Sequence, residues 1–277
     1  MRSNNMKLFN PECTELNVYI DADILAYRSC VSVEHDVVWD EDSGLHVVFS
    51  DEKQAKAVLN DLIRDITKAV INKFEGKAFD INWVYCLSSP EGNFRKDIDP
   101  TYKANRKTKL KPLCYGEIVE YLKTFFGAHS IPKLEGDDML SLFTSYDQTV
   151  EGVNSVIVTI DKDLKQVPNT WIYDFVKDEW FWTGDEAEAE RFHAYQTLKG
   201  DLTDGYSGCP KIGEVKAWKL VEGLSGKELW DTVIDQYKKA GKDYDYFLTQ
   251  ARLAKMLTGK EYDCKLSEVR LWTPPKD

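Results

Sequence analysis

SVIVTIDKD (Ser155–Asp163) reads as a strand that ends in a pair of acids. Ser155–Ile160 shows no polar alternation, as a strand inside a parallel sheet requires, because helices cover both of its faces. A second run, NVYI (Asn17–Ile20), ends just as abruptly in Asp21-Ala-Asp23, with ILAYRSC following as a helix. INWVYCL (Ile81–Leu87) is a third buried run. Between the strands lie helical stripes. Val58, Leu59, Leu62, Ile66, Val70 and Phe74 mark one across 51–75, and Ile118, Val119, Leu122, Phe125 and Phe126 mark another that Pro112 would open. A further helix over 135–146 starts at Gly136-Asp137-Asp138.

VVW and HVVF (Val37–Trp39, His46–Phe49) predict a hairpin turning near Ser43-Gly44, and WIYDFV with WFWT predicts a second. From Asp185 onward the pattern is helical, up to a frayed TPPKD tail. Strands alternating with helices, then helices alone, predict an α/β domain over 1–184 and a helical unit over 185–277.

The chain has 277 residues, 43% of them hydrophobic and 30% charged, with 16 Gly and 9 Pro. That profile excludes collagen, low-complexity disorder and a coiled-coil rod. No apolar run approaches the ~18 residues a membrane span needs, and MRSNNMKLFNPECTE lacks an apolar signal region. The sequence therefore predicts a cytoplasmic protein without a membrane partner. Cys13, Cys30, Cys86, Cys114, Cys209 and Cys264 form no CxxC and read as reduced thiols. His35, His46, His129 and His193 lack zinc-site spacing, so a bound metal would take oxygen ligands.

Acids stand at four strand ends or helix starts: Asp21; Glu135, Asp137 and Asp138; Asp161 and Asp163; Asp201 and Asp204. Any one set alone would be an ordinary cap or turn. In an open parallel sheet, however, strand C-termini gather along one edge where ligands bind. Carboxylates brought together there repel one another unless cations neutralise them, and hard ions such as Mg²⁺ take oxygen ligands. Two such ions about 3.5–4 Å apart serve phosphodiester cleavage. The net charge of −11 argues at first against a nucleic-acid partner. Setting those eight of the 47 acids aside leaves 39 against 36 basic residues.

Arg95, Lys96, Lys103, Arg106, Lys107, Lys109 and Lys111 crowd one stretch against only Asp97 and Asp99. Such a run binds phosphates or is a solvated loop, and Tyr102 inside it is of the type that stacks on bases. In GCPKIGEVKAWKLV (Gly208–Val221), Gly208 and Gly213 flank a turn into a helix, with Lys211 and Lys216 adding charge. Exposed N–H groups at such a turn hold phosphate without reading the base, although a plain helix–turn–helix corner looks the same.

Taken together, YIDADILAYR, FRKDIDPTYKANRK, LEGDDML, TIDKDLKQV and GDLTDGYSGCPKIGEVKA resemble the 5′→3′ exonuclease and flap endonuclease family with a PIN-like catalytic domain. The resemblance spans about Tyr19 to Val221 and suits the stand-alone bacteriophage branch. It implies a mostly parallel sheet flanked by helices, a helical arch over about 90–112, and a C-terminal helix–three-turn–helix. It implies that Asp21, Glu135, Asp137, Asp138, Asp161, Asp163, Asp201 and Asp204 bind two Mg²⁺ (or Mn²⁺) ions. Lys103 and Arg106 would grip the scissile phosphate, Asp161 would be catalytic, and Tyr102 would stack near the unpaired end. Arg95, Lys107, Gly208, Lys211, Gly213 and Lys216 would contact DNA, with K⁺ at the glycines. Gly136 replaces the usual Ala, a change expected to cost little.

One departure is that Ser88 and Ser89 stand where the family carries an aspartate. Asp23 is expected to be a turn residue. The function implied is a 5′→3′ exodeoxyribonuclease acting as a monomer on duplex DNA with a 5′ end or flap, or on RNA–DNA hybrid, during replication or recombination. The alternatives are a PIN-type endoribonuclease and a catalytically weakened DNA-binding module.

Overall fold

The structure, a computed structural model, describes residues 10, 12–40, 45–75, 77, 79–106, 110–151 and 153–275. The chain opens with β1 (Glu15–Asp21), α1 (Ala22–Val31), a hairpin of β2 (Glu34–Asp40) and β3 (Leu45–Ser50), α2 (Glu52–Lys73) and β4 (Asp80–Cys86). After a basic stretch holding the one-turn α3 (Arg95–Ile98) come α4 (Tyr115–Phe126), α5 (Gly136–Tyr146), β5 (Asn154–Val158), β6 (Trp171–Asp174) and β7 (Glu179–Trp182). Then follow α6 (Glu186–Lys199), α7 (Glu214–Val221), α8 (Gly226–Lys239), α9 (Tyr244–Ala254) and a small hairpin, β8 (Tyr262–Asp263) with β9 (Glu268–Val269). Among the described residues no helix is long and apolar enough to cross a membrane.

The main sheet has the order β4-β1-β5-β6-β7. Its first four strands are parallel, and β7 returns antiparallel to β6. β1 leads across to β4 on one side, whereas β5 leads to β6 on the other. The carboxyl ends of β1 and β5 therefore flank a crevice where the chain changes direction, the place where open sheets bind ligands. Alternation along β1 divides the core. Leu16, Val18 and Ile20 pack with Leu25, Leu59 and Ile118 on one face. Tyr19 packs with Met139, Leu140 and Ile157 on the other. A separate apolar cluster joins Leu198 of α6 to Val221, Trp230, Tyr237 and Phe247 of the later helices.

Several helix starts carry side-chain caps. Asp51 accepts from the Lys53 and Gln54 amides, and Asp185 forms a reciprocal box with Glu188. Two details differ from the sequence reading. α4 begins at Tyr115, not at Pro112. The C-terminal part is not wholly helical, since β8 and β9 pair there. The Ser43-Gly44 turn and the end of the TPPKD tail lie outside the described residues. The basic stretch is tied down at both ends: the Lys103 amide donates to Asp204 O at 2.8 Å, Asn105 Nδ2 to Leu202 O at 2.9 Å, and the Leu113 amide to Glu34 Oε2 at 2.9 Å.

Candidate active site

Asp21 ends β1 and caps α1. Its Oδ1 accepts from the Ile24 amide at 3.1 Å and its Oδ2 from the Thr159 hydroxyl at 2.9 Å. Burial, then the charge of Asp23, push its carboxyl up to about 7, with a further rise from Asp161. Asp161 follows β5 and caps a 3₁₀ turn by accepting from the Asp163 amide at 2.8 Å. Burial raises its pKa. Asp163 is pushed up to about 7 by burial and by Asp161. Asp137, in the first turn of α5, is raised well above the ordinary carboxylate range by burial, then by Asp161 and Asp21. Four acids from three parts of the chain thus face one another across the β1/β5 crevice.

Three of the remaining predicted acids are matched with cations of the protein itself. Lys103 Nζ sits on Glu135 Oε1 and lies 3.6 Å from Asp204 Oδ2. Burial alone would raise the Glu135 pKa, but Lys103 and Arg95 outweigh it and hold the carboxyl below its usual range. Asp204 also receives Arg106 Nη2 at 2.5 Å and the Tyr102 hydroxyl at 3.0 Å. Asp201 accepts from the Thr203 amide at 2.8 Å and lies 3.6 Å from Lys162 Nζ.

Several sequence expectations are corrected by this arrangement. Asp138 is not free to bind a metal: Arg95 Nη1 reaches its Oδ2 at 2.6 Å and Nη2 its Oδ1 at 2.8 Å, and the pair is fully buried. Arg95 is therefore a structural cation and not a DNA contact, its guanidinium also donating to Leu253 O and Lys255 O. Tyr102 cannot stack on a base. It is 2% exposed, packed with Tyr206, Leu253 and Ala254, with its hydroxyl on Glu135 and Asp204. Gly208 is also unavailable to phosphate, because its amide donates to Gln250 Oε1 at 2.7 Å. A Cβ there would stand 2.4 Å from Gly200 N, so this glycine allows two backbones to cross.

Lys211, Gly213 and Lys216 are exposed around the start of α7. Lys103 and Arg106 lie beside the acids, at present paired with them. Lys107 lies outside the described residues.

Sequence reasoning passed over Thr159, Lys162 and Tyr115, and took Asp23 for a turn residue. Thr159 could have been suspected as the hydroxyl two residues before Asp161, and Lys162 as a cation between two acids. Tyr115 carries no such signal, because only the fold brings it to Asp23.

Among the described residues no three acid, histidine or cysteine side chains close around a point at coordinating distance. The chemistry of the donor set nevertheless fits hard cations. Asp163 Oδ1 is buried without a hydrogen-bond partner, and burial, then repulsion among neighbouring acids, raises the carboxyls of Asp21, Asp137, Asp161 and Asp163 above their ordinary range. A divalent ion removes both penalties by supplying charge and an oxygen-seeking partner.

The profile of the 5′–3′ exonuclease N-terminal resolvase-like domain matches residues 18–193. The exodeoxyribonuclease of Enterobacteria phage T3 is 30% identical, over 95% of this chain and 94% of its own length. The chain belongs to the 5′–3′ exonuclease family. The exonuclease of Escherichia phage T7, another relative, is also 30% identical over 95% of each chain. The Xni flap endonuclease of Vibrio atlanticus is 25% identical over 80% of this chain and 89% of its own. The family fold is visible in two phage T5 structures at 14% identity. One is a protein co-crystallised with metal ions (TM-score 0.60, covering 87% of this chain and 89% of the other). The other is a 5′-exonuclease with zinc bound (TM-score 0.53, covering 87% and 93%).

Within the family's α/β sheet, the described site divides into a repelling acid quartet and a neighbouring set of ion-paired acids.

Proposed function

We propose that the protein is a divalent-metal-dependent 5′→3′ exodeoxyribonuclease that hydrolyses phosphodiesters from the 5′ end of duplex DNA. The observation that carries this reading is the quartet Asp21, Asp137, Asp161 and Asp163, whose carboxyls burial and neighbouring acids raise despite Lys103 and Lys162 nearby, at the crevice of a 5′–3′ exonuclease fold. Relatives named exonuclease, exodeoxyribonuclease and flap endonuclease support it. In this reading the quartet, with Asp201 and Asp204, holds two Mg²⁺ ions, for which Mn²⁺ substitutes.

When bound, such ions supply a water of lowered pKa and charge for the leaving oxygen. The protein's own part is positional. The Thr159 hydroxyl fixes one oxygen of Asp21, and the Asp163 amide fixes one of Asp161. Lys103 and Arg106 exchange their carboxylates for the scissile phosphate and stabilise the charge that develops on it. Arg95 keeps Asp138 neutralised, so that the first turn of α5 holds Asp137 toward the crevice.

In the same reading, residues 1–184 carry the chemistry and 185–277 hold the duplex. Lys211, Gly213 and Lys216 contact phosphates, with K⁺ at that turn. The enzyme acts as a monomer in the host cytoplasm, on 5′ ends, 5′ flaps and RNA primers paired to DNA. Exposure of the two lysines at one turn supports this seat, since phosphate contacts need no base readout.

The test is a duplex labelled separately at its 5′ and 3′ ends, incubated with Mg²⁺ or with EDTA. Early release of the 5′ label as mononucleotides or short oligonucleotides, only with Mg²⁺, is the expected result. DNA that is bound yet uncut in either condition would replace the enzyme by a binding module.

A further inference from the structure

The end of β4 differs from its neighbours. β1 and β5 both run into acids, whereas β4 runs into Leu87, Ser88 and Ser89. A carboxylate nevertheless reaches that place from another element. Asp23, in the first turn of α1, accepts from the Ser88 amide through Oδ2 at 2.7 Å. Its Oδ1 accepts from the Tyr115 hydroxyl, at the start of α4, at 3.0 Å. Ser88 in turn accepts from the Gly136 amide at 3.0 Å through its own hydroxyl. Asp23 thus ties together the starts of α1 and α4, the end of β4 and, through Ser88, the start of α5 that bears Asp137.

Gly136 belongs to the same arrangement. A Cβ on it would stand 3.1 Å from Asp23 Oδ2 and 3.3 Å from Cys86 O, tighter than ordinary contact. The glycine therefore lets the Asp23 carboxylate close against the backbone, where a Cβ would make its neighbours give by a few tenths of an ångström. A plain turn acid would satisfy an amide of its own turn. Asp23 instead leaves its own helix and spends both oxygens on residues 65 and 92 positions away.

We propose that Asp23 is the carboxylate of the β4 end: a positioning residue that fixes Ser88 and the α5 start and adds its charge to the cation held by Asp21 and Asp137. This rests on the two-metal reading above. It concerns affinity for the cation, so it is separable from turnover. Outer partners of metal ligands typically contribute about 10–100-fold in metal affinity.

The test is calorimetric titration of Mn²⁺ into DNA-free protein, for the wild type, Asp23→Asn, Tyr115→Phe and the double variant Asp23→Asn/Ser88→Asp. Asp23→Asn is expected to bind Mn²⁺ about tenfold or more weakly with an unchanged or higher melting temperature, because a repelling charge is gone. Ser88→Asp in that background is expected to recover most of the affinity by returning a charge to the β4 end. Tyr115→Phe, which removes one hydrogen bond and no charge, is expected to weaken binding severalfold, and it decides the matter if Asp23→Asn does not fold. Affinity within twofold of wild type in Asp23→Asn, or in Tyr115→Phe where only that variant folds, overturns the proposal while the two-metal reading stands. A wild type that binds no Mn²⁺ sinks both.

Discussion

Arg95 and Asp138 form a two-bonded ion pair at 2.6 and 2.8 Å, with side-chain exposures of 0% and 1%. The pair lies beside the carboxylate cluster and fixes the α5 start to the end of α9 through Leu253 O and Lys255 O. Removing one partner of a buried pair leaves an uncompensated charge. Arg95→Ala is therefore expected to destabilise the fold by about 3–5 kcal/mol. Denaturant unfolding measures this. A loss of DNA affinity at unchanged stability would instead restore Arg95 as a DNA contact.

Asp161→Asn removes the charge that raises both Asp137 and Asp163. Cleavage should fall by at least about 10²-fold, the scale of losing one aligned electrostatic group. Duplex binding measured in Ca²⁺ should change little, and the metal-free protein should melt no lower than wild type. Normal cleavage by this variant would undo the metal assignment.

Lys103→Ala should slow single-turnover cleavage by about 10²–10³-fold while weakening binding less than the rate, because its charge matters most as the phosphate charge develops. The comparison is single-turnover rate against affinity in Ca²⁺. Equal losses in both would make Lys103 a binding residue alone.

The carboxyls of Asp21 and Asp163 are pushed up to about 7 in the folded protein. Unfolded, they titrate near 3.8, so between these values the native state holds more protons than the unfolded one. Metal-free stability should therefore fall as pH rises from about 4 to 7, by at most about 1.4 kcal/mol per pH unit for each group, and level off above. Saturating Mg²⁺ should flatten this slope. Melting curves from pH 5 to 8, with EDTA or Mg²⁺, check the sign.

Gly208→Ala forces a Cβ to 2.4 Å from Gly200 N at a residue with φ of 66°. It should cost about 1–3 kcal/mol of stability through backbone strain. The double variant Lys211→Ala/Lys216→Ala should leave melting unchanged and weaken duplex binding, reducing the salt slope by about one per lysine. A salt slope unchanged in the double variant would remove this turn from the DNA interface.

The parallel strands were legible because each is a continuous apolar run, and three acid sets were legible because they follow a strand or start a helix. Which acids face an ion and which face an internal cation was not. That choice depends on pairs such as Arg95 with Asp138, 43 residues apart, and on Arg95 with Leu253, 158 apart. By composition Arg95 and Tyr102 belong to a basic, solvated stretch, yet both are buried, Tyr102 among Tyr206, Leu253 and Ala254 and Arg95 on Asp138 and the Leu253 and Lys255 carbonyls. Asp23 looked like a turn acid because its partners lie on other elements. β8 and β9, at two residues each, are too short to leave a periodic signal.

The basic stretch is anchored on one side by Arg106 at Asp204 and on the other by Leu113 at Glu34. Six residues lie between Arg106 and Leu113, and the seven Cα steps reach about 25 Å at full extension. While both anchors hold, they stay within that reach of each other, which leashes the Asp204 loop to the start of the β2–β3 hairpin.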